Sequence, residues 1–283
     1  MGIKRAALDC LVSLMKTAIR VSTGGHATQI HAHLAEQFSP VITQEAGTAG
    51  TLRFYCPGVL PEYRARTLLT KEPETIEWLN SIGKGEVLWD IGANVGIYSL
   101  YAAKHGVAVQ AFEPAPGNYY LLHRNIELNR LDHLVDSYCL AFNDESRLDA
   151  FYMSTTDLGG STSSFGEPID WKGETYVAKF KQSMIGFTVD GFIEQFAPPR
   201  PNHIKIDVDG IEKKIILGAQ KTLADPQLRS VLVELNTAWV DYAEIVDLFA
   251  AAGLTLRKKA HAAMFDRTEI SAVYNHIFVR DGT

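Results

Sequence analysis

Cysteine is scarce in this 283-residue chain, which has only Cys10, Cys56 and Cys139. Three thiols, far apart and without a C-x-x-C spacing, exclude a disulfide framework and a cysteine-only zinc site, and fit a reducing, cytoplasmic setting. No apolar run approaches the roughly 20 residues that a membrane-spanning helix needs. Residues 1–16 begin like a signal peptide, but Asp9 and Ser13 interrupt the apolar stretch, so the segment reads as an amphipathic helix. Basic charge is not in excess. Lys and Arg number 27 against 33 Asp and Glu, a formal −6. That balance argues against nucleic acid as a partner, because affinity for phosphate backbones comes from basic groups. Internal repeats and low-complexity tracts are also lacking.

What is present is material for a large core. Hydrophobic residues make up 46% and charged residues 21%, which excludes disorder as the main state. Ile3, Ala7, Leu11, Leu14, Ala18 and Ile19 recur at helical spacing, and Ser22–Gly25 would stop that helix. Its apolar face makes self-association into a homo-oligomer a property to test. Residues 51–56 alternate like a strand. Glu72-Pro73-Glu74-Thr75 opens a helix running to about Ser81, with proline and acids where a helix N-terminus favours them.

From residue 86 short apolar runs alternate with helical patterns. Strands are expected at 87–91, 107–112, 135–142, 203–208, 230–235, 254–257 and 276–279, and helices at 97–104, 116–129, 211–223 and 240–252. This alternation predicts an α/β fold with a parallel sheet covered on both faces. Residues 148–153 and 174–189 are strand-like around Gly159–Ser164 and read as an insertion at about 148–189. The predicted organisation is an N-terminal helical and strand extension, 1–70, followed by a domain at 71–283.

Two segments carry the chemistry. In Val87-Leu-Trp-Asp-Ile-Gly-Ala-Asn-Val-Gly96 a strand enters a turn with glycines at Gly92 and Gly96, and a helix follows. Glycines let the backbone approach a ligand, and the helix N-terminus presents free N–H groups. Asp90 suits a cationic group. Glu113, 21 residues beyond Gly92 at the end of the next apolar run, is set to accept hydrogen bonds from two ribose hydroxyls. A nicotinamide dinucleotide fits less well, because Asn94 and Ile97 stand where G-x-G-x-x-G has its second and third glycines. The second segment is Ile204-Lys-Ile-Asp-Val-Asp-Gly210. Period-2 alternation puts Lys205, Asp207 and Asp209 on one face, where burial without pairing or purpose is expensive.

Asp90-Ile-Gly-Ala-Asn-Val-Gly96, Phe112-Glu-Pro-Ala-Pro-Gly-Asn118 with Asn125 beyond, and Ile204–Glu212 resemble the FkbM-type methyltransferases, of the class I S-adenosylmethionine-dependent fold. The resemblance covers roughly residues 72–236. It implies a Rossmann-like, mostly parallel seven-stranded sheet with helices on both faces. It implies S-adenosyl-L-methionine as cofactor, with Gly92, Asn94 and Gly96 along its methionine part and Glu113 at the ribose. Phe142 and Asn143 would lie near the adenine, and Asp90 near the amino group, directly or through water. It further implies O-methylation of a hydroxyl on a sugar, glycan or small natural product.

On that reading the acceptor hydroxyl must lose a proton. Asp207 and Asp209 are the candidate bases, with Lys205 orienting a carboxylate or the acceptor, and His203 a weaker base candidate. A divalent metal on Asp207, Asp209, Glu234 and Asn236 is a less favoured reading, since no spacing here is diagnostic of one. Trp171, Tyr176 and Phe165 would stack on a sugar or belong to the core. Gly159–Ser164 would be a lid or a plain surface loop. No N-P-P-Y or D-P-P-Y stretch exists, so the resemblance to amino-directed DNA methyltransferases is missing. The competing classes are a nicotinamide-dependent oxidoreductase and a non-catalytic cofactor-binding protein.

Overall fold

A computed structural model describes residues 2–22, 26–38 and 40–282. The chain divides into two compact units, Met1–Pro40 and Val41–Thr283. The first contains helices α1 (Gly2–Ser22) and α2 (Ala27–Gln37). Leu8, Leu11, Leu14 and Met15 of α1 are exposed. Residues 23–25, expected to stop α1, lie outside the described residues. No helix among the described residues is long and apolar enough to cross a membrane.

The second unit opens with the hairpin β1 (Val41–Glu45) and β2 (Thr51–Tyr55), then α3 (Val59–Arg66) and α4 (Pro73–Asn80). Next come β3 (Val87–Ile91), α5 (Ile97–Lys104), β4 (Ala108–Phe112), α6 (Pro116–Asn129) and β5 (Val135–Tyr138). Four short strands follow: β6 (Ala141–Phe142), β7 (Arg147–Met153), β8 (Ser163–Phe165) and β9 (Phe180–Phe187). The remainder is α7 (Val189–Phe196), β10 (His203–Ile206), α8 (Glu212–Leu217), α9 (Gln220–Ala224), β11 (Ser230–Asn236), α10 (Tyr242–Ala251), β12 (Leu254–Ala260) and β13 (Val273–Arg280).

The main sheet has seven strands in the order β12-β13-β11-β10-β3-β4-β5. The five strands from β11 to β5 run parallel, and β13 alone is reversed, antiparallel to both of its neighbours, β11 and β12. This is the α/β, Rossmann-like arrangement expected of a class I methyltransferase. The chain order reverses between β3 and β10, which makes their carboxyl ends the natural ligand crevice. Alternation along the strands feeds two separate cores. Leu88, Val109, Ala111 and Leu232 enter one, and Trp89, Ile91, Phe112, Ile204 and Val231 enter the other.

Four expectations need correction. The run 135–142 is two strands. Phe112 pairs with Tyr138 in the main sheet, whereas Ala141 pairs with Gly186 in a four-stranded sheet of order β6-β9-β7-β8. The stretch 174–189 becomes a strand only from Phe180, and Thr188 accepts the Gly191 N–H at 2.9 Å to cap a helix. That helix, with Val189, Phe192 and Ile193 buried, is too short for its period to stand out. The 211–223 helix breaks at Gly218, where a Cβ would lie 2.2 Å from the Asn143 carbonyl oxygen. Finally, α3 was not expected; Gly58 before it and Pro61 in its first turn were its only markers.

Asparagines on α6 tie the hairpin to the sheet. Asn129 accepts the Arg53 N–H and donates to its carbonyl, at 2.9 and 2.7 Å. One turn earlier, Asn125 accepts the Tyr55 N–H at 2.7 Å and donates to the Val95 carbonyl at 2.8 Å. The two amides continue the edge of β2 as a strand would. Asn125→Ala should cost about 2–6 kcal/mol in a urea melt, because two backbone groups lose their partners at about 1–3 kcal/mol each. A change below about 0.5 kcal/mol would mean that water replaces the amide.

Candidate active site

Strand register sets the site. Val233, Ile206, Ile91 and Phe112 are direct neighbours across β11, β10, β3 and β4. The next residue on each strand is therefore Glu234, Asp207, Gly92 and Glu113, so the register brings three carboxyl groups and a glycine into one row. One step back, Lys205 pairs with Asp90.

Gly92 sits at φ +87°, and a Cβ there would lie 1.9 Å from the Asp207 carbonyl oxygen. Only glycine allows the β3 turn to rest on the end of β10. Asn94 also has positive φ (+50°), which asparagine tolerates better than most residues. Its N–H donates to Glu113 Oε2 at 2.8 Å, and its Nδ2 donates to the Gly160 carbonyl at 2.9 Å. Its Oδ1 is buried without a partner. Glu113 Oε1 accepts the Ala115 N–H at 2.9 Å and Asn118 Nδ2 at 3.4 Å. A carboxylate offers about four acceptor sites, so one remains. Burial outweighs these donors and pushes the Glu113 carboxyl up to about 7.

Residues 159–162 close over this loop. Asn118 accepts the Gly159 N–H at 2.8 Å and donates to the Gly160 carbonyl at 3.0 Å. Arg64 Nε donates to the Gly159 carbonyl at 2.7 Å, and the Thr162 N–H donates to Asp209 Oδ2 at 2.7 Å. Three cavities meet at Gly92. The largest, about 280 Å³, is walled by Arg64, Lys71, Trp171, Asp207, Asp209 and Glu234, among others. A groove of about 50 Å³ runs along Asn94, Glu113, Asn118 and Asp209. A small apolar one, about 30 Å³, lies among Phe112, Leu140, Phe142 and Ile211.

The ionisable groups separate by environment. Lys205 is buried, and its Nζ donates to Asp207 Oδ2 at 2.7 Å. Burial disfavours the Lys205 charge, but Asp207, Asp90 and Glu72 more than compensate and hold it protonated. Burial likewise opposes the Asp207 charge, yet Lys205 and Lys71 keep its carboxyl below the ordinary range. Asp209 is pushed the other way by burial and by Asp207. Glu234 rises far above the usual value through burial, Asp207 and Glu72. The three carboxyls thus span from firmly ionised to readily protonated.

The structure brings together Gly92, Asn94, Glu113, Asp207 and Asp209. Asp209 arrives by a left-handed turn (φ +63°), since strand pairing stops at Ile206 and alternation no longer applies. Asp90 and Lys205 lie one row deeper and line no described cavity. Asp90 Oδ2 accepts from Ser99, its Oδ1 has no partner, and burial raises its carboxyl. Gly96 (φ +84°) faces Leu122 of α6. Phe142 walls the apolar cavity inside a cluster with Trp89, Phe112 and Phe192. Asn143 stands apart, its amide engaged by Phe165 and Asp144. His203 lies at the far end of β10 between Ser230 and Glu86. Asn236 turns away from the carboxylates, donating to the Trp171 carbonyl and accepting from Ala238 N. Among the described residues no three His, Cys, Asp or Glu are set to hold a metal ion. Of the aromatic residues considered, Phe165 is core, Tyr176 donates to the Tyr152 carbonyl, and Trp171 walls the large cavity.

Sequence reasoning missed Arg64, Lys71 and Glu72 as site residues. Lys71 and Glu72 pair beside Asp207. No motif marks Arg64 or Lys71, and Glu72 reads only as the opening of a helix; α3 and the turn before α4 bring them to the site.

The residues fit an adenosyl cofactor. The orphaned Asn94 Oδ1, the open acceptor site on Glu113 and the apolar cavity beside Phe142 form a polar-to-apolar cradle whose parts meet at Gly92.

A family model described as "Methyltransferase FkbM domain" matches residues 90–256. The hexuronic acid methyltransferase AglP of Haloferax volcanii is 27% identical over 219 residues, 77% of this chain and 82% of AglP. The 31-O-demethyl-FK506 methyltransferase FkbM of Streptomyces tacrolimicus is 28% identical over 210 residues, 67% and 80% of the two chains. A protein of Beauveria bassiana named Methyltransferase 1 is 26% identical over 181 residues, 59% of this chain and 71% of that one.

Gly92→Ala should destabilise the fold by at least about 2 kcal/mol, from the left-handed backbone at about 1–2 kcal/mol plus the clash with β10. A thermal melt within 1 °C or so of the parent would contradict the packing described for this turn.

Proposed function

The chain belongs to the FkbM methyltransferase family, and on that premise we propose that it methylates a hydroxyl oxygen of a sugar, glycan or small natural product. The observation that carries this reading is the row Glu234, Asp207, Gly92 and Glu113, which joins a nucleoside cradle to a cavity with carboxyl groups of graded basicity. The relatives named for a hexuronic acid and for an O-demethyl natural product support acceptors of that kind. The acidic chain supports a glycan or small molecule over nucleic acid. Cys10, Cys56 and Cys139, all free, support a cytoplasmic location.

S-adenosylmethionine, the cofactor, supplies a methyl group on a positively charged sulfur, open to attack by an oxygen. Glu113 would hold the ribose through its open acceptor site, and Gly92 and Asn94 the methionine part. Phe142 would flank the adenine. Asp90, one row back, would lie near the cofactor's amino group, directly or through water. Asp207, locked by Lys205, keeps a fixed negative charge on the wall between the two subsites. Asp209 accepts the proton that the acceptor hydroxyl releases as its oxygen bonds to carbon. Its carboxyl is the more basic of the two aspartates, because burial and Asp207 raise it while Lys205 depresses Asp207. Its Oδ2 is held by Thr162 N, which aims the side chain. Residues 159–162 shield the reacting atoms from water.

Methyl transfer from labelled S-adenosylmethionine into polysaccharide and lipid-linked sugar fractions tests the reading. Asp209→Asn keeps an acceptor for Thr162 and a side chain suited to φ +63°. It should lower kcat by about 10²–10⁴-fold, with the dissociation constant of S-adenosylhomocysteine changed less than about threefold. Equal losses in both would move Asp209 into the cofactor pocket and remove it as the base.

Glu113 makes cofactor binding depend on pH. Its carboxyl titrates at about 7 in the free protein, and hydroxyl donors from a ribose favour the ionised form. Affinity for S-adenosylhomocysteine should rise by up to about tenfold between pH 6 and 8 by proton linkage, and Glu113→Gln should flatten that rise. A pH-independent affinity in the parent protein would separate Glu113 from the ribose.

A further inference from the structure

The wall of the large cavity holds two cations, Arg64 and Lys71, and the Arg64 charge steadies the carboxylates of Asp207 and Asp209 without pairing with either. Lys71 is closed by Glu72. Arg64 makes no ion pair among the described residues, although Asp207 and Asp209 lie in the same wall. Its Nε is fixed by the Gly159 carbonyl at 2.7 Å, which sets the plane of the guanidinium. The two terminal nitrogens have no protein partner among the described residues. Four N–H groups are therefore available in a fork that matches a carboxylate two-to-two.

The rest of the wall suits a single sugar ring. The volume, about 280 Å³, lies near the lower bound for small-ligand sites. Trp171 lines the cavity, and its backbone carbonyl accepts from Asn236 Nδ2 at 3.1 Å and Trp239 Nε1 at 2.9 Å, which fixes the segment that carries the ring. Burial, Asp207 and Glu72 raise the Glu234 carboxyl, so it opposes an anion less than an ordinary carboxylate would. A doubly charged phosphate would suffer more from Asp207 and Asp209 than a single carboxylate does.

We propose that the acceptor is an acidic sugar, whose carboxylate is held by the free fork of Arg64 while a neighbouring hydroxyl faces Asp209. This rests on the O-methyltransferase reading and makes Arg64 its specificity residue. The carboxylate stays unmodified. The hydroxyl O–H bond breaks and its proton goes to Asp209. The new O–CH₃ bond forms as the S–CH₃ bond breaks, leaving S-adenosylhomocysteine and a methyl ether.

The test uses the full chain loaded with S-adenosylhomocysteine. It is titrated with methyl glycosides of glucuronic, galacturonic and mannuronic acid, each beside its parent hexose. At least one acid should bind about tenfold or more tighter than its parent, the ratio expected of one charge-assisted pair. Arg64→Gln should bring that ratio to near one, and Arg64→Lys, which keeps the charge without the fork, should retain part of it. Acids that bind no tighter than their parents, or a preference that survives Arg64→Gln, would overturn the proposal while leaving the methyltransferase reading intact. Failure of S-adenosylhomocysteine itself to bind would strike that reading instead. With labelled methyl donor, the product should resist mild base; a base-labile methyl ester would show the carboxylate to be the acceptor and not the anchor.

Discussion

The contact between Gly92 and the backbone of Asp207 governs the site. Because the turn after β3 lies directly on the end of β10, the parallel register carries across four strands without a step. Glu113 then meets the Asn94 N–H, and Asp209 follows Asp207 into the cavity. A side chain at position 92 would force the two strand ends apart and separate the cofactor groove from the acceptor cavity. Fold and chemistry are coupled at this one point.

Burying so many charges near one crevice is costly, and the structure offsets the cost unevenly. Lys205 and Asp207 form a close pair under the row, with Tyr98 against the ammonium at 5.3 Å. Other polar atoms are left open. Asp90 Oδ1 and Asn94 Oδ1, on either side of Gly92, are both buried without partners. Buried polar groups are normally bonded, so the open Asn94 Oδ1 in the wall of the groove is a place for a ligand's donor. The graded carboxyls follow from the same crowding: the lysines lower Asp207, and Asp207 in turn raises Asp209 and Glu234.

Much of this was legible in the residues because the strands are short, apolar and sharply bounded. Ile97–Lys104 and Pro116–Asn129 match their expected spans, and the motifs at Asp90–Gly96 and Ile204–Gly210 lie at the crevice. What escaped was set by tertiary packing. Strand 135–142 reads as one apolar run, yet its last residues leave for another sheet, a choice made by Gly186 on a distant strand. Arg64 looks like an ordinary helix cation until Gly159, 95 residues away, takes its Nε. Asp209 reaches the cavity, though by a left-handed turn that strand alternation does not describe. Asn94 was read as an obstacle to a pyrophosphate. The structure adds that it is also the latch between the cofactor turn and residues 159–162.

The most direct measurement is a crystal structure with S-adenosylhomocysteine soaked or co-crystallised. The account predicts the ribose hydroxyls within hydrogen-bond distance of Glu113, the adenine against Phe142, and the sulfur opening into the cavity walled by Asp209 and Arg64. A nucleoside bound elsewhere, or a groove at Glu113 closed by side chains, would contradict it.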